Sequence, residues 1–337
     1  MAMINKEFFV EGIPSELSLF DLPPTQTGVE NIRMENVQPT STISENSPIL
    51  FDISGQNGME YLDLMKSQMY VKLRVKHEDG TKLLDGEDVA LVNLFLQSLF
   101  SQIDVSIQGK VLSSTSGYYP YKVYMQTLLK CGSDAKNSQL STQLWMKDTT
   151  SELDDVDFTN GDNTNGILRM AYIKESKVLD LQGPILHDLF QVTRYILNQV
   201  GIIIKFHRSR LDFCLLSNEA KKYKIDIEEM ALRVCKVQVN PAFITAHNAM
   251  LSSTNAKYPY TKTEMASMTL AKGTLNFSLN QVFQDSCPNM GHRHFRLQRG
   301  DVWWQSYQEP LEFSELQLES NKCECGRRTH QWWIYAD

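Results

Sequence analysis

The chain has 337 residues, 42% of them hydrophobic and 22% charged, which suits soluble globular protein and, at roughly 100–200 residues per domain, suggests about two domains. A net charge of -7 and a pI of about 5.6 argue against a protein whose task is neutralising phosphates, since that affinity comes from clustered Lys and Arg. No apolar run approaches the ~20 residues of a membrane helix: the longest candidate, residues 200–204, meets Lys205 at once. The N-terminus has neither a basic leader nor a continuous apolar stretch, and Cys131, Cys214, Cys235 and Cys287 sit singly. We therefore expect no signal peptide, reduced thiols, and a cytoplasmic or nuclear setting rather than secretion.

In chain order, residues 1–35 are interrupted by Pro14, Pro23 and Pro24 and read as an extended arm. From Pro48, PILFDIS places Ile49, Phe51 and Ile53 on one side of a strand, and MYVKLRVKH alternates Met69, Val71, Leu73 and Val75 with polar residues. Glu78, Asp79 and Gly80 predict a turn. SQIDVSIQGKVLS then alternates through Ile103, Val105 and Ile107 until Gly109, which we expect at positive φ between two strands. VNLFLQSLF and YPYKVYMQTLLK have helical spacing, the second with Tyr121, Tyr124, Met125, Leu128 and Leu129 on one face. The segment KDTTSELDDVDFTNGDNTNG lacks periodicity and reads as a solvated loop. Further strands are expected at KVLDL, GIIIKFHRS, DFCLLS, MALRVCKVQVN, MASMTLAKG and LNFSLN. Many short alternating strands with few helices favour an all-β, jelly-roll β-sandwich with short helical insertions. Two related strings, LSSTSGYYPY from Leu112 and LSSTNAKYPY from Leu251, hint at two similar units.

Chemistry-bearing patterns are sparse. GxGxxG, P-loop, GxSxG and HExxH strings are missing, which lowers the prior for an enzyme. His187 next to Asp188 has no nucleophile to serve and reads better as a histidine beside the apolar cluster of Leu186, Leu189 and Phe190. Glu152, Asp154, Asp155, Asp157 and Asp162 do not follow the ligand spacing of an EF-hand loop. His292, His294, Cys323, Cys325 and His330 are zinc-ligand types, but a CxC pair is a poorer zinc signal than CxxC, and the HxH is not followed by the Glu a cupin needs. We expect no catalytic, cofactor-binding or metal-binding residues and no cofactor.

The strings QPTSTISENSPILFDISG, EYLDLMKSQMYVKLRV, LVNLFLQSLFSQIDVSIQGKVLS, YYPYKVYMQTLL, DLQGPILHDLF, RYILNQVGIIIKF, FCLLS and LRVCKVQVNP together resemble the major capsid proteins of Polinton or Maverick elements and of adintoviruses, over about residues 36–288. That resemblance implies a hexon-like double jelly roll that trimerises into capsomers of an icosahedral shell, with capsomer contacts and a penton or minor capsid protein as partners. It implies no catalytic residues, no membrane and no sequence-specific nucleic acid. On it, 1–35 is the arm, 36–217 a complete first jelly roll, 218–289 a linker and the beginning of a truncated second one, and 290–337 an atypical tail. The alternative from another class is a non-viral ligand-binding β-sandwich; a metal-dependent enzyme using the tail histidines comes third.

The family-like text stops after Cys287, and the tail holds four of the five tryptophans, as two Trp-Trp pairs, with three of the seven histidines. Trp has one codon, TGG, so each pair read one base later begins Gly-Gly, and codons permitted from Gln308 onward can be reread as KNPWNFQNYNLNQISVSVDGEHINGG. A one-base frameshift near Pro288 is therefore expected, which would make the tail's zinc-type residues accidental. A genuine lineage-specific terminus is the alternative.

Overall fold

The computed structural model describes residues 26–53, 59–112, 117–148, 155–158, 161–217, 222–263 and 265, with the backbone of 322–325 and 328–331. Its frame is made of β1 (Val29–Val37), β2 (Ile49–Ile53), β3 (Glu60–His77), β4 (Val89–Leu91), β5 (Phe100–Ile107), β6 (Lys110–Val111), β7 (Leu179–Pro184), β8 (Ile202–Arg208), β9 (Leu215–Ser217) and β10 (Tyr223–Val239). One antiparallel sheet has the order β1-β10-β3-β7 and a second the order β2-β8-β5-β6. The pairs are nested: β5 with β6, β3 with β7, β2 with β8, and β1 with β10. A ribbon of antiparallel pairs wound around one core in this way is a jelly roll. β4 and β9 form a small third sheet.

Period-2 alternation makes the core. Ile49, Phe51 and Ile53 of β2, Ile103 and Val105 of β5, and Ile202, Ile204 and Phe206 of β8 face Met69, Val71, Leu73 and Val75 of β3 and Met230, Leu232 and Val234 of β10. Phe206 is the hub, edge-on to Phe51 at 5.6 Å between ring centroids and tilted against Phe100 at 5.0 Å. The β5–β6 turn has Gln108 at φ 49° and Gly109 at φ 79°, two positive angles in a two-residue hairpin loop. Gly80, at φ 92°, ends β3 in the turn expected there.

Helices fill the connections: α1 (Phe95–Ser98), α2 (Tyr119–Lys130), α3 (Ser133–Asn137), α4 (Thr164–Ile173), α5 (Leu211–Cys214) and α6 (Pro241–Leu251). The helical spacing of VNLFLQSLF gives only the single turn α1 before β5 begins, and DFCLLS divides into the turn α5 and the strand β9. α2 forms where expected, but its buried face is Tyr119, Lys122, Val123, Tyr124 and Thr127, while Leu129 is exposed. Tyr121 and Leu128 of the expected face still pack against the core, and the buried set extends to Lys122, whose partner lies far away in sequence.

Two boundaries differ from the sequence reading. β1 starts inside the expected arm, and the sheet closes with β10, beyond the expected limit at Ser217. The sandwich thus spans residues 29–239, because β10 has to pair with both β1 and β3 before the outer sheet is complete. The expected loop of residues 147–166 is also more than solvated chain: Asp148, Phe158 and Asn163 are buried. The expected strands MASMTLAKG and LNFSLN, the second jelly roll they would begin, and His292 and His294 lie outside the described residues. The two LSST strings have unlike surroundings, the first leading into α2 and the second following α6 into irregular chain.

Candidate functional site: the outer sheet face and its buried anchors

The surface with the most distinctive chemistry lies on the outer face of the β1-β10-β3-β7 sheet. Residues paired directly across antiparallel strands share a face, so Ile32 of β1, Val237 of β10 and Tyr61 of β3 look outward together, as do Met34 and Cys235. α6 lies over them. Asn240 accepts from Ala242 N at 3.0 Å as its N-cap, and Pro241 follows at the first helical position. Ile244 closes a small second core with Tyr61, Cys235, Val237 and Val239. Tyr61 Oη lies 2.8 Å from His247 Nδ1 with the rings stacked, and burial raises the Tyr61 pKa. Burial likewise raises the Cys235 thiol, keeping it protonated.

The rim of this core stays open. Ile32 is 48% exposed, Met34 49%, Phe243 45% and Met250 63%. Of α6 only Ile244 is buried, so its other apolar side chains, Phe243, Met250 and Leu251 among them, stay at the surface. On the opposite face of the same strands, Arg33 pairs with Glu60 at 2.8 Å and Lys236 with Glu35 at 2.9 Å.

After α6 the chain is fastened back onto the connection between β7 and β8. Arg194 Nη1 donates to Lys257 O at 2.6 Å, Leu197 N to Tyr258 Oη at 3.2 Å, and Thr263 N to Asp188 Oδ2 at 2.8 Å. Asp188 Oδ1 takes Lys122 Nζ at 2.6 Å, both side chains being almost fully buried. Burial draws the Lys122 ammonium below its ordinary pKa, and Asp188 opposes that shift. His187 beside them accepts from Leu189 N at 3.3 Å, and burial together with the Lys122 charge pushes its pKa down to about 4. It is therefore a neutral core histidine capping a 3-10 turn. Tyr119 donates to Gln97 Oε1 at 2.6 Å in the same buried layer.

A second anchor sits under α4. Arg169 is fully buried, donates to Leu91 O at 2.6 Å and Met146 O at 2.5 Å, and pairs with Asp148. Asn163 joins them: its amide donates to Asp148 at 2.8 Å while its carbonyl caps α4 at Gly166 N, 3.0 Å. Each guanidinium nitrogen thus has a partner, two backbone carbonyls and one carboxylate, which tie α4 to β4 and to residues 146–148.

Of the other sequence candidates, Asp155 accepts from Asp157 N at 2.9 Å and Asp162 N at 3.1 Å, a turn rather than a calcium cage. Glu152 and Asp154 lie outside the described residues. The backbone hairpin β11 (Lys322–Cys325) and β12 (Arg328–Gln331) sets Cys323 opposite His330 in register. Among the described residues no group of three or more His, Cys, Asp or Glu is placed to hold a metal ion. A concavity beside Leu83, Glu87 and Lys174 opens to solvent and has a cavity volume of only about 10 Å³, far short of the ~300–1,000 Å³ of small-molecule pockets. Among the described residues no helix is long and apolar enough to cross a membrane.

Fold and site together define a jelly-roll protein with an apolar, half-exposed rim and buried ion pairs. No protein-family model matches the chain. It is 19% identical over 277 residues to the uncharacterized protein F54H12.2 of Caenorhabditis elegans, the match taking 79% of this chain and 63% of that protein. Solved structures similar to it include that of the Sputnik virophage (13% identity, TM-score 0.45, 69% of this chain and 53% of that one) and the Faustovirus major capsid protein (10%, 0.44, 73% and 59%). The mavirus major capsid protein is similar at 12% identity and a TM-score of 0.37, over 70% of this chain and 53% of that one. The chain thus spans less than two thirds of the length of each.

Proposed function

We propose that this chain is a structural subunit of a virus-type shell, a hexon-like major capsid protein that works by burying complementary surfaces between copies of itself as a homotrimer. The observation that carries the reading is a jelly roll whose outer sheet face ends in an apolar, half-covered rim at α6 and β1. Support also comes from the sequence strings that resemble Polinton, Maverick and adintovirus capsid proteins. A wall-building role asks for rigid anchors and contact surface, and the buried pairs Lys122–Asp188 and Arg169–Asp148 supply the first while the rim supplies the second. On this reading the protein is not an enzyme, resides in the virion and in the host cytoplasm or nucleus, and meets a penton or minor capsid protein as a further partner. With β10 counted in the first sandwich, the linker and the start of a second jelly roll fall between residues 240 and 289 instead of 218–289, and 290–337 are a shifted-frame tail.

Light scattering tests the reading on two chains, this one and one whose frame is shifted by one base after Pro288. A threefold mass step in the second, with the first monomeric or aggregated, is the expected result, since closed rings satisfy every interface. A stable trimer of this chain would keep the shell reading and remove the frameshift. Monomers from both would remove the shell reading.

A further inference from the structure

Lys122 on α2 and Asp188 after β7 are 66 residues apart in sequence and 2.6 Å apart in space, Nζ to Oδ1, with side chains only 3% and 5% exposed. In Lys66–Asp63, Lys76–Asp226, Lys174–Asp85 and Lys236–Glu35 at least one side chain is open to water. The seclusion of Lys122 and Asp188 therefore sets them apart from the other Lys–carboxylate pairs.

Among the described residues the Lys122 ammonium has a single acceptor for its three donors, so its charge is incompletely satisfied. Burial lowers its pKa, with Asp188 opposing and Lys130 assisting. A proton passed from Nζ to Oδ1 leaves a neutral amine against a neutral acid and removes two buried charges. A neutral amine is a nucleophile, whereas the guanidinium of the other buried pair, Arg169–Asp148, stays charged and cannot act as one. The carboxyl carbon of Asp188 lies one bond beyond Oδ1. Its second oxygen, Oδ2, accepts from Thr263 N at 2.8 Å, a backbone donor aimed where negative charge gathers when an amine adds to that carbon.

We propose that Lys122 and Asp188 condense in the folded chain to an isopeptide bond, a covalent cross-link between α2 and the connection from β7 to β8. The Nζ lone pair adds to the Asp188 carboxyl carbon, and the carbonyl electron pair moves onto Oδ2, held by the Thr263 N–H. A proton then passes from Nζ to the Oδ1 hydroxyl. The bond from carbon to Oδ1 breaks as the pair on Oδ2 re-forms the carbonyl, and one water leaves. No oxidant, metal or activated group enters the balance. Fixed contact of this kind reaches effective concentrations of ~10⁵–10⁸ M in the best-oriented cases, and the buried site withholds the water that would reverse the step. The ring so closed, residues 122–188, contains α3, α4 and β7, and closing it restricts the unfolded chain. This proposal stands apart from the shell reading and holds or fails without it.

The test is the intact mass of the folded full chain, on purification and through prolonged incubation at neutral pH, followed by denaturation and peptide mapping. A species lighter by one water is expected, present at the start or growing while the chain stays folded. Its digest should contain a branched peptide joining Lys122 to Asp188, with trypsin no longer cutting after Lys122. The Lys122→Met/Asp188→Leu variant, and the parent chain held in denaturant from the outset, should stay at the mass of the sequence. A folded parent chain that keeps the sequence mass throughout overturns the proposal. So does loss of water with the Lys122 and Asp188 peptides still separate, which marks a succinimide at Asp188, and so does joining in denaturant.

Discussion

β8 and β10 are inner strands of the two sheets, and they are built on different rules. β8 alternates cleanly, with Ile202, Ile204 and Phe206 buried and Ile203 and Lys205 exposed. β10 does so only at its start; from Met230 to Val239 nearly every residue is buried, Ala231, Cys235 and Val237 on the outer face as much as Leu232 and Val234 on the inner. The β8 sheet faces solvent with Lys205, Asp104 and His207, whereas the β10 sheet is roofed by α6 and the 195–197 segment. A strand with one covered face advertises itself by period two, and a strand with both faces covered reads as a nearly continuous apolar run.

The largest effect separates the two faces of β8. Phe206→Ala empties the ring that Phe51 and Phe100 pack against and should cost about 3–5 kcal/mol in denaturant unfolding. Lys205→Ala, one residue away on the outer face, should stay within about 0.5 kcal/mol. Comparable losses from both would mean that the outer face of this sheet is covered too.

Of similar size is the effect of the anchor that holds the end of the sandwich. Asp188→Ala strands Lys122 in a buried site and frees Thr263, for an expected loss of about 3–5 kcal/mol. Pairing Lys122→Met with Asp188→Leu should recover most of it in thermal melts. A single variant as stable as wild type would show that Lys122 reaches water.

Acid sharpens the contrast between this buried end and the solvated His207–Asp104 pair, 3.0 Å apart and partly exposed. The folded pKa of His187 is held near 4 against an ordinary 6.5, so between these values the unfolded chain binds a proton that the folded one refuses. Stability therefore falls as pH drops through that window, by on the order of 3 kcal/mol at its foot, and is fully present above it. His187→Asn should remove that part of the slope when stability is plotted against pH. A slope unchanged by the substitution would mean that His187 is solvated.

The smallest expected change lies under the roof. Tyr61→Phe removes the hydroxyl that meets His247 and keeps the ring stack, so about 1 kcal/mol should go. If α6 amides exchange no faster in that variant, the roof is held by Ile244 alone.

Legibility followed the same division. The alternating strands β2, β3, β5 and β8, the positive φ of Gly109 and the position of α2 were all readable, because each depends on local period or local backbone. β1 was hidden by its bulge, which turns a spacing of two into three after Val29. The extent of β10 was blurred by burial of both faces, which imitates the loss of period at a strand's end. α6 was not expected; Asn240-Pro241, a cap followed by a first-turn proline, is the signal that could have found it, while its all-round apolar composition gives no face to read. The anchors were the least legible. Lys122 and Asp188 are 66 residues apart, and Arg169 finds Asp148 and Asn163 within a string whose acidity and glycines resemble open loop. Nothing local marks a charge whose partner arrives only through the fold.

The fastening of residues 257–263 also sets a mechanical load path. Tension applied to the chain beyond Thr263 is met first at Asp188 and Arg194, where the Lys122–Asp188 pair passes it into α2. It does not begin by peeling β10 from its neighbours. β10 lies between β1 and β3, and those two ladders would share whatever strain did arrive. Residues 257–263 are thereby tied to the end of the sandwich through Asp188, Arg194 and Leu197.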